Sequence, residues 1–296
     1  MQALTSLDIA GLDVFSEGKV RTVYDLGERL LIVASDRVSA YDYVLPSGIP
    51  DKGKILTALS AFWFEKLASI SEHHMITIDA EEFPAQLREH EAVLRNRSML
   101  VRKADRIDVE CIVRGYLAGS AWREYRETGR VTGIELPPGL KANSKLERAI
   151  FTPSTKSDEG HDRNISVREM ADLVGSKPTE YIMAKSLSLY EEARSFAETK
   201  GIKLLDTKFE FGYCGDGIIL IDEILTPDSS RFLAVGEHGS DPVHLDKQFI
   251  RDFLDGTGWD KNSQPPSLPE DVVTECRRRY LLMLENLTGG KPQWAQ

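Results

Sequence analysis

Asp206-Thr-Lys-Phe-Glu-Phe-Gly-Tyr-Cys-Gly-Asp-Gly-Ile-Ile-Leu-Ile-Asp-Glu-Ile-Leu-Thr-Pro-Asp-Ser-Ser-Arg231 reads as a β-hairpin followed by a polar loop. Successive side chains of an extended chain alternate faces, so Asp206, Lys208 and Glu210 share one face. Phe209 and Phe211 take the other, which can pack on a core. Gly215, Asp216 and Gly217 supply a turn, and Ile218 to Ile221 make the returning apolar strand. A three-residue loop with a left-handed Gly217 would set Glu210 opposite Asp222. A two-residue Asp-Gly turn would set it opposite Glu223. Either register is expected to bring two carboxylates together at the hairpin end, one pleat from Lys208.

Two carboxylates beside a lysine suit a magnesium ion that also binds nucleotide phosphates, with the lysine adding a point charge on those phosphates. The same pattern describes a solvated hairpin face with an ordinary cross-strand ion pair. The cation site is the stronger reading, because Asp222 ends an aliphatic run and the chain then enters Thr226-Pro-Asp-Ser-Ser-Arg231. Loops on rigid scaffolds are where binding residues gather.

The composition bounds what such a site can serve. A chain of 296 residues with 41% hydrophobic and 28% charged residues has the make-up of a globular protein of two lobes or one large unit. It lacks a long apolar run and a basic-then-apolar N-terminus, which predicts neither a membrane span nor a secretory signal. Three cysteines, Cys111, Cys214 and Cys276, lie too far apart for metal-ligand spacing and fit reduced thiols in a cytoplasmic protein. Acidic residues outnumber basic ones by 47 to 37, and the net charge of −10 argues against nonspecific nucleic-acid binding. An anionic small molecule therefore has to be held by a local cluster of Arg and Lys.

Such clusters occur along the chain. Glu17-Gly-Lys-Val-Arg-Thr-Val-Tyr24, a turn at 25–28 and Arg29-Leu-Leu-Ile-Val-Ala34 predict a second hairpin, with Lys19 and Arg21 on one face. Two cations just after Gly18 could cover nucleotide phosphates, although a charged edge strand has the same pattern. There is no Walker lysine motif and no dinucleotide fingerprint. Ser35-Asp-Arg-Val-Ser-Ala-Tyr-Asp42 leaves a buried strand as a polar cluster containing Ser39 and Asp42. Ile55 to Ile70 has helical periodicity, with Phe62, Trp63 and Phe64 expected in the core. Met75 to Asp79 and Met99 to Lys103 are expected strands.

Glu110-Cys-Ile-Val-Arg-Gly-Tyr-Leu-Ala-Gly-Ser120 predicts a strand at a lobe boundary. It could offer backbone groups to an adenine, with Arg114 and Ser120 facing an anion; a plain interdomain strand remains equally open. Residues 129–146 read as loop. Residues 151–165 form a polar loop with Lys156, His161, Asp162 and Asn164, and Ser166 with Glu169 predicts a capping box. Helices are expected from Thr179 to Lys200, opened after Pro178; from His244 to Leu254; and from a second capping box at Ser267 to Glu270 onward to about Leu287.

Together these stretches resemble the SAICAR synthetase (phosphoribosylaminoimidazole-succinocarboxamide synthase) family. The resemblance rests on GKVRTVYD at 18–25, SDRVSAYD at 35–42, ECIVRGYLAGS at 110–120, FTPSTK at 151–156 with GHDRN at 160–164, DTKFEFG at 206–212 and IDEILTPDSSR at 221–231. These motifs stand in the family's order, from about Gly18 to Leu287. The DKQFIRDFL stretch and the C-terminal helix are similar to the longer form of the family. One departure is Arg163, in a loop that the family usually reads His-Asp-Glu-Asn.

The resemblance implies an α+β, two-lobed fold similar to ATP-grasp enzymes, with antiparallel sheets flanked by helices. A nucleotide-binding lobe would span residues 1–111, and a lobe with the metal and substrate groups 112–296. The implied reaction joins L-aspartate to the carboxylate of carboxyaminoimidazole ribotide (CAIR), giving SAICAR, ADP and phosphate. The implied cofactors are ATP and Mg²⁺. Gly18, Lys19, Arg21 and Lys208 would meet ATP phosphates, Glu110 and the Ile112 backbone the adenine, and Glu210 with Asp222 the Mg²⁺. Arg114, Ser120 and Arg231 would hold CAIR, with Asp206 and Ser230 beside them. Ser39, Asp42, Lys156 and Asp162 are candidates for aspartate, and Asp162 for its deprotonation; Lys208 and Asp162 are the catalytic candidates. A monomer or homodimer in the cytoplasm, without nucleic-acid or membrane partners, completes the expectation. A kinase-like small-molecule phosphotransferase is the alternative, since Glu210-Phe-Gly sits where Asp-Phe-Gly could, but the catalytic-loop order and the closing Ala-Pro-Glu are missing. A nucleotide sensor without turnover is a third reading.

Overall fold

The computed structural model describes residues 2–156, 163–235 and 241–295. The expected N-terminal hairpin forms from β2 (Arg21–Asp25) and β3 (Arg29–Ala34), with Arg21 opposite Ala34 and Asp25 opposite Leu30. It is extended on one side by β1 (Asp13–Glu17), whose residues are all exposed and so leave no apolar alternation to read. Beyond a small ribbon of β4 (Arg37–Ala40) and β5 (Tyr43–Gly48) comes α1 (Lys52–Leu67). The first sheet is completed by β6 (Met75–Thr77) and, after the short α2 (Glu91–Leu94), β7 (Ser98–Arg102), in the antiparallel order β1-β2-β3-β7-β6. Strand alternation gives this sheet two apolar faces. Tyr24, Leu31, Val33 and Leu100 pack with Ile9 on one side, while Leu30, Met99 and Val101 join the main core on the other.

Helix α1 starts three residues before the apolar periodicity at Ile55. A left-handed Asp51 (φ +63°) turns the chain, and at Gly53 a Cβ would lie 2.2 Å from the Ala34 carbonyl oxygen, so only glycine lets helix and strand approach this closely. Trp63 and Phe64 of this helix are fully buried, as expected, while Phe62 is partly buried and packs against the core.

The second sheet is built on one long strand. β8 (Asp105–Arg106) and β9 (Val109–Tyr116) lead into α3 (Gly119–Thr128), a helix that the glycine-rich sequence did not suggest. The segment expected as loop contains the two-residue strands β10 (Arg130–Val131) and β11 (Ile134–Glu135) and the start of β12 (Lys145–Phe151). After β13 (Ser154–Thr155), the Ser166–Glu169 capping box opens α4 (Val167–Val174) as expected. Helix α5 (Ser176–Thr199) begins two residues before Pro178, because a first-turn proline lacks only an N–H that no helical carbonyl needs.

Then come β14 (Ile202–Cys214), β15 (Gly217–Ile221), β16 (Ser230–Ala234), β17 (Val243–His244), α6 (Gln248–Gly256) and α7 (Glu270–Thr288). β14 pairs antiparallel with β16 over its first half, with β9 around Asp206 to Phe209, and with β15 and β8 over its last residues. The sheet order is β12-β9-β14-β16-β17, and a boundary after Cys111 would fall inside β9.

Two expected helix starts shift. His244 joins β17 opposite Leu233, and Asp246 then accepts from the Gln248 N–H (2.6 Å), so the helix begins at Gln248. The capping box at Ser267 to Glu270 does not form. Pro269 occupies the N-cap without a side-chain bond, since the Leu268 N–H is held by Ser47 (2.8 Å) and keeps the chain extended. Among the described residues no helix is long and apolar enough to cross a membrane. The cysteines are free, with Cys111 and Cys276 buried.

Candidate active site

The centre of the site is the face of β14 that carries Lys208 and Glu210, where β15 leaves it. The hairpin adopts neither expected register. Cys214 faces Gly217 across a two-residue turn of Gly215 and Asp216, which places Glu210 opposite Ile221. Gly215 rather than Gly217 is left-handed (φ +58°), as a turn with positive φ only at its first central residue requires. The ladder therefore ends at Ile221, and Asp222 escapes the alternation that would have fixed its face. Its own backbone is left-handed (φ +66°), and its carboxylate turns back to Lys208 Nζ at 3.3 Å. The expected pairing of Glu210 with Asp222 is thus achieved by a bend after the strand, not by cross-strand register.

Three cations and four acids interlock here. Lys208 bonds Glu210, lies 3.3 Å from Asp222 and reaches Glu110 at 3.6 Å. Lys156 bonds the other Glu210 oxygen. Arg21 bonds Asp222 through both terminal nitrogens and reaches Glu223 at 3.2 Å. Glu210 is 2% exposed, so its charge is stabilised mainly by these lysines. Burial by itself would raise the Asp222 carboxyl, but Arg21, Lys208 and Lys156 outweigh it and hold it well below the ordinary carboxylate range. Burial likewise opposes charge on Lys208, yet Glu210, Asp222 and Glu110 raise it well above the usual lysine value. Among the described residues no group of three or more His, Cys, Asp or Glu could hold a metal ion. A magnesium ion on the Glu210 and Asp222 pair would complete its shell with phosphate oxygens and water, which is the donor set this ion accepts.

Next along β14, Asp206 is buried and holds two arginines. Arg231 Nη1 lies 3.0 and 2.7 Å from its two oxygens, and Arg114 Nη1 lies 3.4 Å from one of them. Arg114 also donates to Thr152 (2.9 Å). Arg231 stays firmly charged because of Asp206, whereas burial lowers Arg114. Thr207 and Ser230 share a hydrogen bond of 2.7 Å across β14 and β16. A cavity of about 200 Å³ is lined here by Arg114, Ser120, Lys208, Ser230, Arg231 and Lys247. Two buried polar atoms of its lining residues, Asp228 Oδ1 and Arg231 Nε, have no hydrogen-bond partner among the described residues.

A neighbouring cavity of about 430 Å³ shares Arg231, Lys247 and Arg251 and adds Lys19, Ser39 and Asp42. Lys19 bonds Asp42 there, whereas Arg21 bonds Asp222. Gly18 closes the turn before them by donating its N–H to the Arg21 carbonyl (2.8 Å). Ile112 and Glu110 lie on β9 beside Lys208, with Ile112 directly opposite it in the ladder. The four residues proposed for aspartate do not form one group: Ser39 and Asp42 line the larger cavity, whereas Lys156 belongs to the carboxylate cluster. Asp162, with His161, lies outside the described residues. Arg163 pairs with Glu169 (3.1 Å) at the start of α4.

Sequence reading missed Lys247 and Arg251 at the start of α6, which line both cavities. It also missed Lys52, fully buried and 2.7 Å from Asp228. A buried lysine at a helix start has no signature in a single sequence. Lys247 and Arg251, one turn apart on a helix, were visible as a basic pair, but nothing showed which face they take.

Comparison with known proteins adds identity to this geometry. The family model described as SAICAR synthetase matches residues 14–266. The phosphoribosylaminoimidazole-succinocarboxamide synthase of Syntrophobacter fumaroxidans is 50% identical over 285 residues, 95% of either chain. That of Thermodesulfovibrio yellowstonii is 48% identical over 283 residues, 95% of this chain and 97% of the relative. Among solved structures, the SAICAR synthase of Saccharomyces cerevisiae complexed with SAICAR superposes with a TM-score of 0.88 at 40% identity, covering 98% of this chain and 99% of that one. The α+β architecture is thus shared with proteins of one kind along nearly the whole chain. The chain belongs to the SAICAR synthetase family.

Proposed function

We propose that this chain ligates L-aspartate to the 4-carboxylate of CAIR at the expense of ATP, and that β14 is the strip along which the reaction is laid out. The observation that carries the reading is the juxtaposition of the Glu210, Asp222 and Lys208 cluster with the arginine-lined cavity on one strand. A carboxylate is a poor electrophile, so phosphoryl transfer to it comes first and gives an acyl phosphate with a good leaving group. That transfer needs alignment and charge neutralisation more than covalent help.

In this reading Gly18, Lys19 and Arg21 lie over the ATP phosphates, Lys208 meets the transferring group, and Glu110 with the Ile112 backbone faces the adenine. Residues 1–111 serve as the nucleotide lobe and 112–296 carry the metal and substrate groups. Glu210 and Asp222 would hold Mg²⁺, which when bound supplies positive charge against the phosphate oxygens. Of the lysines that now neutralise these carboxylates, Lys208 is then free to face phosphate and Lys156 to meet aspartate. Arg114, Ser120, Ser230 and Arg231 hold the CAIR anions, since planar guanidinium groups suit bidentate recognition of carboxylate and phosphate. Asp206 orients both arginines. The unpartnered Asp228 Oδ1 and Arg231 Nε support a polar ligand in that cavity. Ser39 and Asp42 are assigned to aspartate in the adjoining cavity together with Lys156 and Asp162, and Asp162 to deprotonating its ammonium.

All these groups come from one chain, so a monomer or a homodimer serves equally, and reduced buried thiols accord with a cytoplasmic setting. The relatives above lend no support to a kinase-like phosphotransferase. The deciding experiment measures ADP release with CAIR and aspartate supplied together and singly. Ligation requires both substrates and yields SAICAR. ADP release without aspartate accompanied by a stable phosphorylated product would instead indicate a kinase, and nucleotide binding without turnover a sensor.

A further inference from the structure

Glu72, His73 and His74 run as a strap between the two sheets. The Leu220 N–H of β15 donates to the Glu72 carbonyl (2.9 Å), the His74 N–H donates to the Leu220 carbonyl (3.0 Å), and the Arg102 N–H at the end of β7 donates to the His74 carbonyl (2.7 Å). The backbone of His74 is therefore fixed from both sides. Its side chain is 3% exposed, and the ring sits 5.3 Å from the Phe64 ring of α1. Nε2 lies 3.1 Å from the carbonyl oxygen of Asp222. A carbonyl can only accept, so Nε2 carries the proton and donates.

This bond meets the backbone where the hairpin departs from regular structure. The ladder stops at Ile221, and Asp222 is left-handed at φ +66°. For a residue with a Cβ that conformation is strained and persists only where the surroundings hold it. The side chain of the same residue bonds Arg21 and approaches Lys208. An extended residue at this position would continue along the strand and carry the carboxylate away from Glu210.

We propose that His74 is a positioning residue for the cation-binding carboxylate: its Nε2–H anchors the Asp222 carbonyl and thereby holds the left-handed bend that brings Asp222 beside Glu210. The proposal rests on the reading of Asp222 as a metal ligand. Through the strap, the same bond ties the Asp222 backbone to β7 of the first sheet, alongside the bond from Arg21 of β2 to its carboxylate.

The test uses His74→Met, similar in reach without a donor, and His74→Gln, whose amide nitrogen can donate from nearly the position of Nε2. Binding of Mn²⁺ in the presence of ADP is followed by electron paramagnetic resonance, alongside turnover and thermal unfolding. We expect His74→Met to weaken Mn²⁺ binding by about ten-fold or more, the usual consequence of losing an outer-sphere partner of a metal ligand. The KM for CAIR stays unchanged, and His74→Gln recovers most of the loss. A folded His74→Met that binds Mn²⁺ like the parent, or a His74→Gln equally defective, overturns the role. Should His74→Met not fold, the parent protein still decides: the His74 Nε2 proton, seen by ¹⁵N-edited NMR, must stay protected from exchange with ADP and Mg²⁺ present, and rapid exchange overturns the proposal. Asp222→Asn separates the two layers. If it binds Mn²⁺ normally, the metal reading itself fails; if it does not while His74→Met does, only the positioning role fails.

Discussion

At the scale of single residues, Lys208 is surrounded by carboxylates from β14, the bend after β15 and β9: Glu210, Asp222 and Glu110. Its replacement by Ala should reduce turnover by about 10²–10³-fold, the loss usual for one preorganised charge facing a developing anion. The thermal midpoint should hardly move, because Glu210 keeps Lys156 and Asp222 keeps Arg21. Aspartate-dependent ADP release checks the first part and calorimetry the second. Arg231 gives a different signature. Arg231→Ala removes one charge-assisted hydrogen bond to an anion, worth about 1.5–3 kcal/mol, so the KM for CAIR should rise by at least about ten-fold. Gly119 offers a milder version of the same test. A Cβ there would lie 2.4 Å from an Arg231 nitrogen, and its φ of +55° disfavours any side chain. Gly119→Ala should therefore displace the guanidinium and raise the same constant, while the parent kcat largely persists. The side-chain types at these positions were legible because carboxylates, lysines and arginines state their chemistry directly. Partners were not. The bond of Lys156 to Glu210 had no signature, since a long flexible side chain can reach groups far away in sequence.

At the scale of elements, hairpin existence was readable and hairpin register was not. The 215–217 stretch contains two glycines that can each take a left-handed conformation, and the choice between them moves every cross-strand pair. Because Gly215 holds the positive φ, Gly215→Ala should cost about 1 kcal/mol, visible as a lower urea midpoint. Gly217→Ala should cost less, since its φ is not left-handed and a Cβ there meets nothing closer than 3.8 Å. The His74 strap makes a pH prediction. Burial depresses the His74 imidazole to about 3 against the upward pull of Asp222, with His73 and Arg21 adding smaller downward contributions. With the folded value below the unfolded one, the unfolded chain takes up a proton first as the pH falls. Stability should thus be flat above about pH 6.5 and decline from there toward pH 3, and His74→Gln should flatten that decline. Urea titrations at stepped pH measure both slopes. Helix starts shifted for similar local reasons: the Ser267 capping box was a correct sequence pattern, but a tertiary bond to Ser47 kept the chain extended there.

At the scale of the molecule, Lys52 at the start of α1 reaches across to Asp228 in the loop after the hairpin, and Lys247 of α6 reaches the same carboxylate at 3.4 Å. Burial opposes the charge on Asp228, but Lys247 and Lys52 keep it below the ordinary carboxylate range. Removing one partner of a buried pair leaves the other charge poorly compensated, so Lys52→Met should destabilise by about 3 kcal/mol, measured by calorimetry. The amino-acid sequence by itself determined the family, the alternating strand β14 with Asp206, Lys208 and Glu210 on one face, the apolar aromatics of α1 and the acidic balance that forces anions into local basic clusters. These are properties of residue type and of spacing along a chain whose backbone periods are fixed. Only the tertiary structure decided the bend that carries Asp222 to Glu210, the capture of Arg114 and Arg231 by Asp206, and the entry of Lys52, His74 and Lys247 into the site. Each of those depends on distances between segments far apart in sequence, set by how sheets and helices pack and not by any local preference.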